Sequence, residues 1–266
     1  MSYGSDPQHA SVTEQSFAQQ APTFEDERFN RVLTTDSDWL YNSLPRTTGD
    51  LLLDVAAGTG LAGRSLAGQV RAVIALDTTA GMLETGRRAA ADEGLTNIVF
   101  QRGDAAALPF LDASFEIVVC RYALHHFPEP ELQLAQMARV LRPGGHLALA
   151  DLQADANPNA ATVQNHLERL RDPSHAHALP AAKLRAAIER PGLTIVATET
   201  RAVRRPLAPW MAQTETPREA MEKIEFALTG ELDRRGAPTG FQPQRDATGN
   251  LTIMQTLTSL VARKPG

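Results

Sequence analysis

The chain of 266 residues has 26 lysines and arginines, 31 acidic residues and a single cysteine, Cys120. Its 42% of hydrophobic residues is ordinary for a globular protein and too high for a disordered one, and the length fits one large domain. The formal net charge of −5 argues against a broad nucleic-acid-binding face, and one cysteine excludes a disulfide framework or a cysteine-rich zinc site. We therefore predict no nucleic-acid partner and no metal.

Two sequence features bear on location. No apolar stretch reaches the roughly 18 residues that a membrane-spanning helix needs. The N-terminal segment MSYGSDPQHASVTEQ lacks the charged and then apolar pattern of a signal peptide. The sequence therefore predicts a soluble, cytoplasmic protein with no membrane partner.

The first fifty residues contain two different segments. Residues 1–15 are polar and predict a flexible tail. Residues 16–44 carry aromatic residues and leucines at helical rather than alternating spacing, which predicts a helical segment. Pro45 and Gly49 end that segment before the next element begins.

From Leu51 onward, short apolar runs alternate with helical stretches. Strict alternation predicts right-handed crossovers and a parallel sheet covered on both faces. The predicted strands are 51–56, 72–77, 97–104, 115–124 and 146–152, and the predicted helices are 61–68, 80–93 and 128–141. Arg142-Pro-Gly-Gly145 is the predicted stop of the last helix.

After Leu152 the alternation becomes less regular. The pattern there predicts helices at 159–171, 180–190 and 216–235, and strands at 194–203 and 251–264. Because no helix follows the last strand, we expect that strand to insert antiparallel to the others.

The turn after the first strand contains Gly58-Thr-Gly60-Leu-Ala-Gly63, which matches the fingerprint of dinucleotide-binding proteins. A nicotinamide-dependent dehydrogenase is therefore one hypothesis. Asp54 at the end of that strand counts against it, because a carboxylate there would repel a pyrophosphate and attract an ammonium group.

Acidic residues end three consecutive predicted strands: Asp54, Asp77 and Asp104. The carboxyl ends of parallel strands lie at one edge of the sheet, where such folds bind ligands. Three carboxylates there suit a ligand with an amino-acid end, a ribose and an adenine better than they suit a dinucleotide. The structural alternative is that each carboxylate caps its own strand end or the following helix.

Four segments in this order resemble class I S-adenosylmethionine-dependent methyltransferases: LLLDVAAGTG, VIALDTTAGML, GDAAALPFLDASFEIVVCRYALHHF and ARVLRPGGHLALAD. The resemblance covers about residues 50–152 and is nearest to the ubiquinone/menaquinone-biosynthesis-type group. It implies an α/β, Rossmann-like, seven-stranded, mostly parallel sheet with helices on both faces. The implied strand order is 3-2-1-4-5-7-6, with strand 7 antiparallel, and the implied cofactor is S-adenosylmethionine, with S-adenosylhomocysteine as its product.

The resemblance also assigns roles to single residues. In the family, the acid of the first strand and the loop glycines surround the methionine part of the cofactor, and Ala56 stands here where the family often has glycine. The acid that ends the second strand binds the ribose, and the acid that ends the third binds the adenine amino group. The cofactor-binding residues implied in this way are Asp54, Ala56, Gly58, Gly60, Asp77, Thr78, Met82, Asp104, Ala105 and Arg121.

Catalytic residues are harder to assign. The sulfonium leaves as a neutral thioether, so no general acid is needed, and a general base helps only when the attacking atom carries a proton. Histidine titrates near neutral pH, and the candidates are His126, His125 and, in a segment Asp172-Pro-Ser-His175 found in some similar bacterial proteins, His175. The alternatives are that the first two close a strand and that His175 lies in a solvated loop.

The sequence thus predicts one methyltransferase domain over residues 16–266. The resemblance implies a helical lid at 16–44, a cofactor-binding core at 50–152, a substrate cap with strand 6 at 153–250, and a last strand at 251–264. The predicted reaction is in-line transfer of a methyl group to a small-molecule substrate, partly apolar, such as a quinone-like, polyketide-like or other secondary metabolite.

Several points stay open at this stage. Attack at carbon, oxygen or nitrogen is undecided, and a homodimer is common among similar proteins. The main alternative is a member of the fold that binds S-adenosylmethionine without methylating, in cyclisation or regulation. The cluster Arg201, Arg204 and Arg205 is either a solvated strand end or an attraction for an acidic substrate.

Overall fold

The computed structural model describes residues 7–26 and 38–266, so residues 27–37 of the predicted lid lie outside the described ranges. The elements form an α/β fold. Seven long strands are β1 (Leu51–Val55), β2 (Ala72–Asp77), β3 (Ile98–Arg102), β4 (Phe115–Arg121), β5 (Leu141–Ala154), β6 (Thr194–Pro206) and β7 (Leu251–Arg263). The α-helices of the described ranges are α1 (Pro7–Gln20), α2 (Leu61–Ala67), α3 (Ala80–Asp92), α4 (Pro130–Val140), α5 (Pro158–Arg171), α6 (Ala181–Glu189), α7 (Leu207–Ala212) and α8 (Arg218–Leu232).

The seven long strands form one sheet in the order β3-β2-β1-β4-β5-β7-β6. Strands β1 to β5 pair in parallel, and β7 lies antiparallel between β5 and β6. Two further short segments, Leu179–Pro180 and Gln244–Arg245, pair with β5 and β7. The predicted fold, strand order and antiparallel last strand are confirmed.

The central strands are apolar because both of their faces are covered. Leu53 on β1 belongs to a core that also contains Phe115 and Leu134, while its neighbour Leu52 packs with Trp39 and Val119 in a second core. Successive side chains of a strand point to opposite faces, so these two cores lie on the two sides of the sheet.

The predicted flexible tail at 1–15 is wrong for residues 7–15, which form the first part of α1. Helix α1 contains no fully buried residue, so its sequence shows little apolar periodicity. Its contacts are with distant parts of the chain: His9 Nε2 donates to the carbonyl of His126 at 2.8 Å, and Glu14 pairs with Arg102 at 2.7 Å. Local sequence patterns do not record such contacts.

Strand β5 begins at Leu141, five residues before the predicted start. The segment Arg142 to Gly145 was predicted as a helix stop, and it lies within a register shift where Phe115 pairs with Leu141 but Ile117 pairs with His146. Gly144 has φ of 80°, in the left-handed region, and a Cβ on Gly145 would lie 2.8 Å from the carbonyl oxygen of Glu116. Glycines therefore shape an irregularity in the strand.

Candidate active site

A cavity lined by described residues opens at the carboxyl ends of β1 to β4, the edge that the sequence indicates. It contains about 1310 Å³ of space, including its open mouth. Its lining includes most of the predicted site residues: Asp54, Ala56, Gly58, Asp77, Thr78, Asp104, Ala105, Arg121, His125, His126 and His175.

Asp54 lies at the end of β1 and is 1% exposed. Its Oδ2 accepts a hydrogen bond from the backbone N–H of Gly63 at 2.8 Å. A Cβ on Gly63 would lie 3.1 Å from the same oxygen, so glycine allows the first turn of α2 to approach this carboxylate closely. Burial raises the pKa of Asp54 to about 7. A cationic ligand group beside it would favour its charged form.

The loop that follows β1 turns sharply. Ala56 and Gly58 have φ of 52° and 57°, in the left-handed region, and both line the cavity. The left-handed conformation is strained for alanine, which explains the family's frequent glycine at that position. Gly60 also has a positive φ of 73°, but a Cβ on it would lie 2.8 Å from the ring of Phe100. Gly60 therefore packs against the core and does not line the cavity.

Asp77 ends β2 and fixes the loop from β1. Its Oδ2 accepts from the N–H of Gly58 and its Oδ1 from the N–H of Thr79, both at 2.8 Å. Burial raises the pKa of Asp77. Each oxygen of an ionised carboxylate has two lone pairs, so Asp77 can accept further bonds from ligand hydroxyls.

The rim of this half is more exposed. Asp104 Oδ1 accepts from the N–H of Ala106 at 2.8 Å, which caps a short helical turn starting at Ala105. Thr78 is exposed at the mouth, whereas Met82 is fully buried within α3 and, like Gly60, is not among the residues that line the cavity.

These residues fit an adenosyl ligand with an amino-acid end. Asp54 lines the same cavity as Asp77 and Asp104. The Asp54 carboxylate suits an ammonium group, Asp77 suits ribose hydroxyls, and Asp104 suits an adenine amino group. No described cluster of three or more histidine, cysteine or acidic side chains could hold a metal ion.

His125 follows β4 and pairs with Asp151 on β5, at a distance of 2.5 Å between Nδ1 and Oδ1. The other carboxylate oxygen, Oδ2, accepts from the N–H of Leu124 at 2.7 Å, which fixes the carboxylate. Because a carboxylate accepts, Nδ1 carries the proton and the lone pair of the neutral ring lies on Nε2. Burial alone would lower the pKa of His125, but the charge and hydrogen bond of Asp151 outweigh it and raise that pKa.

His126 and His175 have different environments. His126 Nδ1 lies 3.0 Å from the carbonyl of Ser174, which can only accept, and burial together with His125 lowers the pKa of His126 to about 4. His175 Nε2 lies 2.8 Å from Oδ1 of Asn165, and burial strongly lowers the pKa of His175. Both rings are therefore neutral at neutral pH.

The three histidines form a cluster although 175 is far from 125 in sequence. The ring centroids of His125 and His126 are 4.1 Å apart, and those of His125 and His175 are 5.4 Å apart. The N–H groups of Ala176 and His177 both donate to the carbonyl of His125, so the loop after α5 docks on the end of β4. His175 is buried, and its predicted alternative as a solvated loop residue is wrong.

Helix α1 covers part of the cavity. Phe17 stacks edge-on against His126 with ring centroids 4.9 Å apart, and Thr13, Gln20 and Phe24 also line the space. This helix therefore contacts the histidine cluster and the cofactor edge at once.

Asp151 is the functional candidate that sequence reasoning missed. It ends the apolar run HLALAD, in the same strand-end position as the three acids that were singled out. The same signal could have found it. Glu168, Arg205 and Gln255 also line the cavity, but they come from α5, β6 and β7 and no local motif marks them.

The fold and the site together define a Rossmann-like enzyme that binds an adenosyl amino acid at the carboxyl edge of its sheet. Residues 52–145 match a family model described as a methyltransferase domain. The chain is 32% identical over 157 residues to the uncharacterized protein YafE of Escherichia coli strain K12, an alignment covering 59% of this chain and 76% of that protein. The chain belongs to the class I S-adenosylmethionine-dependent methyltransferases, and S-adenosylmethionine is its cofactor.

Two other relatives support this assignment. The uncharacterized methyltransferase YcgJ of Bacillus subtilis strain 168 is 41% identical over 124 residues, which cover 47% of this chain and 49% of YcgJ. The YcgJ crystal structure superposes with a TM-score of 0.79 at 27% identity, over 86% of this chain and 97% of that one. A demethylmenaquinone methyltransferase from Clavibacter sepedonicus is 35% identical over 137 residues, covering 50% of this chain and 55% of that enzyme.

The sequence alignments thus span about half the length of two of these relatives. Family membership confirms the predicted enzyme class and cofactor. It removes the nicotinamide-dependent dehydrogenase hypothesis, which rested on the glycine loop and on Asp77 as the acid that would hold a ribose. None of the helices within residues 7–26 and 38–266 has the length and apolar character needed to cross a membrane.

Proposed function

We propose that the protein methylates a small, partly apolar acceptor whose attacking atom must lose a proton, and that His125 removes this proton. The observation that carries the proposal is the His125–Asp151 pair, which lines the same cavity as the carboxylates that suit the cofactor. The acceptor atom is then a hydroxyl, an ammonium nitrogen or an acidic carbon.

Bound S-adenosylmethionine supplies an activated methyl group and a neutral thioether leaving group. The protein then has to hold the acceptor in line with that methyl group, exclude water and take up one proton. Asp54 and Asp104 hold the two ends of the cofactor, Asp77 holds its ribose, and α1 closes the cavity over it. His125 accepts the proton at Nε2, because Nδ1 is held by Asp151.

Of the three histidines, His125 is the most suitable base. A general base works best when its pKa is near the working pH, and only the pKa of His125 is raised from the ordinary value. His126 and His175 are too weakly basic, because their pKa values are lowered by burial. We propose that these two shape the cavity around the acceptor.

A quinone-like or polyketide-like acceptor is consistent with the apolar part of the lining. Phe17, Phe127 and Leu152 line the cavity beside the histidines. Such molecules carry phenolic or enolic hydroxyls with the proton that a base would remove. The similarity to a demethylmenaquinone methyltransferase supports this class. In the same proposal, α1 acts as the lid and residues 153–250 act as the substrate cap.

The test is methyl transfer from isotope-labelled S-adenosylmethionine to a panel of quinols and phenolic polyketides, followed by mass spectrometry. We expect labelled product with the wild type, and a large loss with His125→Gln that is matched by Asp151→Ala. His166→Gln is the matched control, because it removes an exposed histidine that does not line the cavity. Equal rates for His125→Gln and wild type would overturn the base assignment. Binding of S-adenosylhomocysteine without transfer to any acceptor would overturn the proposed activity.

A further inference from the structure

The cavity has a second polar wall, away from the cofactor carboxylates. It is built from α5, the end of β6, the segment after α7, and β7. The residues of this wall that line the cavity are Glu168, Arg171, Asp172, Arg205, Gln213 and Gln255. We call this set the cap wall.

Arg205 is the unusual member of the cap wall. Its side chain is 8% exposed, and its hydrogen bonds go to two neutral amides: Nη1 to Gln255 Oε1 at 2.8 Å and Nη2 to Gln213 Oε1 at 3.1 Å. Among the described residues, no carboxylate oxygen lies within 4.0 Å of its guanidinium nitrogens. The charge of Glu168 acts on Arg205 from beyond ion-pair distance and favours its charged form, but no described carboxylate pairs with it directly. A buried guanidinium without a directly paired carboxylate favours an anionic ligand beside it.

Arg171 has the partners that Arg205 lacks. Its Nη1 lies 3.2 Å from Glu168 Oε2, its Nη2 lies 3.8 Å from Asp172, and its guanidinium stacks 4.8 Å above the ring of Trp210. The charge of Arg171 is therefore balanced within the protein. Burial lowers the pKa of Arg205, and the nearby positive charge of Arg171 lowers it further, to about 10.

The neighbours of Arg205 fix its side chain and leave some of its N–H donors unused. Glu168 Oε1 accepts from Gln255 Nε2 at 2.9 Å, which turns the oxygen of Gln255 toward Arg205. An arginine has five N–H donors, and the described partners of Arg205 use two of them. The remaining donors form a planar fork that matches a carboxylate.

The arginine cluster seen in the sequence is split by the fold. Arg204 donates to the carbonyl of Gln242, and Arg201 stacks 4.5 Å above the ring of Trp39. Neither of them lines the cavity, whereas Arg205 does. The interpretation of the cluster as a solvated strand end is therefore wrong for Arg205.

We propose that Arg205 binds a carboxylate of the methyl acceptor, so that the acceptor is a small monocarboxylic acid with its reacting atom near His125. This inference rests on the proposed function and narrows its acceptor class. A carboxylate suits the site better than a phosphate, because Glu168 and Asp172 line the same wall and repel a dianion more strongly than a monoanion.

The test compares an aromatic carboxylate with its neutral ester and with an aromatic phosphate. Hydroxycinnamate, its methyl ester and phenyl phosphate are titrated by calorimetry into protein saturated with S-adenosylhomocysteine. We expect the free acid to bind the wild type at least about tenfold more tightly than the neutral ester does, and more tightly than the phosphate by a similar factor. A charge-assisted hydrogen-bonded pair contributes about tenfold in affinity. Equal affinity for acid and ester would overturn the proposal.

Variants assign the effect to the residue. Arg205→Gln should remove the preference for the acid, Arg205→Lys should keep part of it, and Arg204→Gln should leave it unchanged. All three should bind S-adenosylhomocysteine as the wild type does. A preference that survives in Arg205→Gln would overturn the assignment. If Arg205→Gln fails to fold, the other two proteins still test the assignment. It would be overturned if Arg205→Lys kept the full preference for the acid, or if the wild type showed no preference.

The same panel separates the two proposals. Transfer of the methyl group to neutral and acidic acceptors at equal rates would leave the proposed function standing and overturn the carboxylate site. Binding of the acid through Arg205, with no methyl transfer from S-adenosylmethionine to any nucleophile, would do the reverse.

Discussion

The two halves of the cavity are built by different means. In the cofactor half, carboxylates at strand ends bind backbone N–H groups a short distance along the chain: Asp54 holds Gly63 and Asp77 holds Gly58 and Thr79. In the acceptor half, side chains bind other side chains across long separations, as Gln255 binds Glu168 and Arg205. The residues that suit the cofactor, which is common to the family, thus lie in local motifs. The residues that face the acceptor, which differs from one enzyme to another, are brought together by long-range contacts.

The largest effect should come from removing Asp77. Asp77→Ala deletes the acceptor for the N–H groups of Gly58 and Thr79 and for ligand hydroxyls. Each charge-assisted hydrogen bond contributes about 1.5–3 kcal/mol, so we expect the affinity for S-adenosylhomocysteine to fall by about 100-fold or more. Calorimetric titration measures this. Asp112→Ala, which removes an exposed carboxylate paired with Arg139, should bind normally. An unchanged affinity in Asp77→Ala would mean that the ligand lies elsewhere.

His125→Gln should lower kcat by about 100-fold or more, the usual contribution of a general base. The base must be neutral to act, and the pKa of His125 is raised above its ordinary value of 6.5. Activity should therefore fall as the pH drops through a value above 6.5. Asp151→Asn removes the charge that raises this pKa, so the fall in activity should move to lower pH. The measurement is the pH dependence of kcat/KM for both proteins, and coinciding profiles would contradict the role of Asp151.

Binding of S-adenosylhomocysteine should itself depend on pH through Asp54. The pKa of Asp54 is about 7 in the free protein, and an ammonium group of the ligand would lower it. The affinity should be constant above pH 7 and fall by up to about tenfold for each pH unit below it. Asp54→Asn should bind weakly with no such dependence between pH 5 and 8. A flat wild-type profile would place the ammonium group away from Asp54.

Asp54→Asn, which should weaken ligand binding, should increase the stability of the free protein. Because the folded pKa of Asp54 lies above its ordinary value of 3.8, its ionisation reduces the stability of the free protein increasingly from pH 4 to about pH 7. Asp54→Asn should therefore raise the free energy of unfolding at pH 8 by an amount on the order of 4 kcal/mol, and by little at pH 4. Denaturant unfolding at both pH values measures this, and equal effects at both would show that charge is not the cause.

The smallest effect concerns the loop that joins β1 to α2. Ala56→Gly relieves a left-handed backbone at φ of 52° and should raise the free energy of unfolding by about 0.5–1 kcal/mol. Gly58→Ala, at φ of 57° and with no atom nearer than 3.8 Å to the new Cβ, should lower it by a similar amount. Neither change should alter the size of the cavity. Thermal unfolding of the two variants checks the opposite signs.

The sequence predicts the cofactor half well because its signals are local. Strand-end acids contact backbone groups of the same or the adjacent strand–helix unit, at most 19 residues away, and the alternation of elements gives the parallel sheet. Two expected members of that half, Gly60 and Met82, pack inside instead, because side-chain direction depends on neighbouring elements such as β3.

The acceptor half could not be predicted in the same way. Arg205 is one arginine among several in β6, and only the pairing of β6 with β7 places it beside Gln255. Helix α1 was missed for a similar reason, because its helical form depends on contacts such as His9 with the carbonyl of His126. Non-local contacts of this kind leave no periodic trace in one sequence.

Helix α1 joins the two halves, and this affects the order of events in turnover. Phe17 rests on His126, Ser16 approaches Asp172 at 3.4 Å, and Thr13 and Gln20 line the cavity, yet no residue of the helix is fully buried. An element held by so few contacts detaches more readily than the sheet beneath it. Its departure exposes the cofactor and the acceptor together. We therefore expect the spent cofactor and the methylated product to leave during a single opening, which makes the detachment rate of α1 an upper limit on turnover.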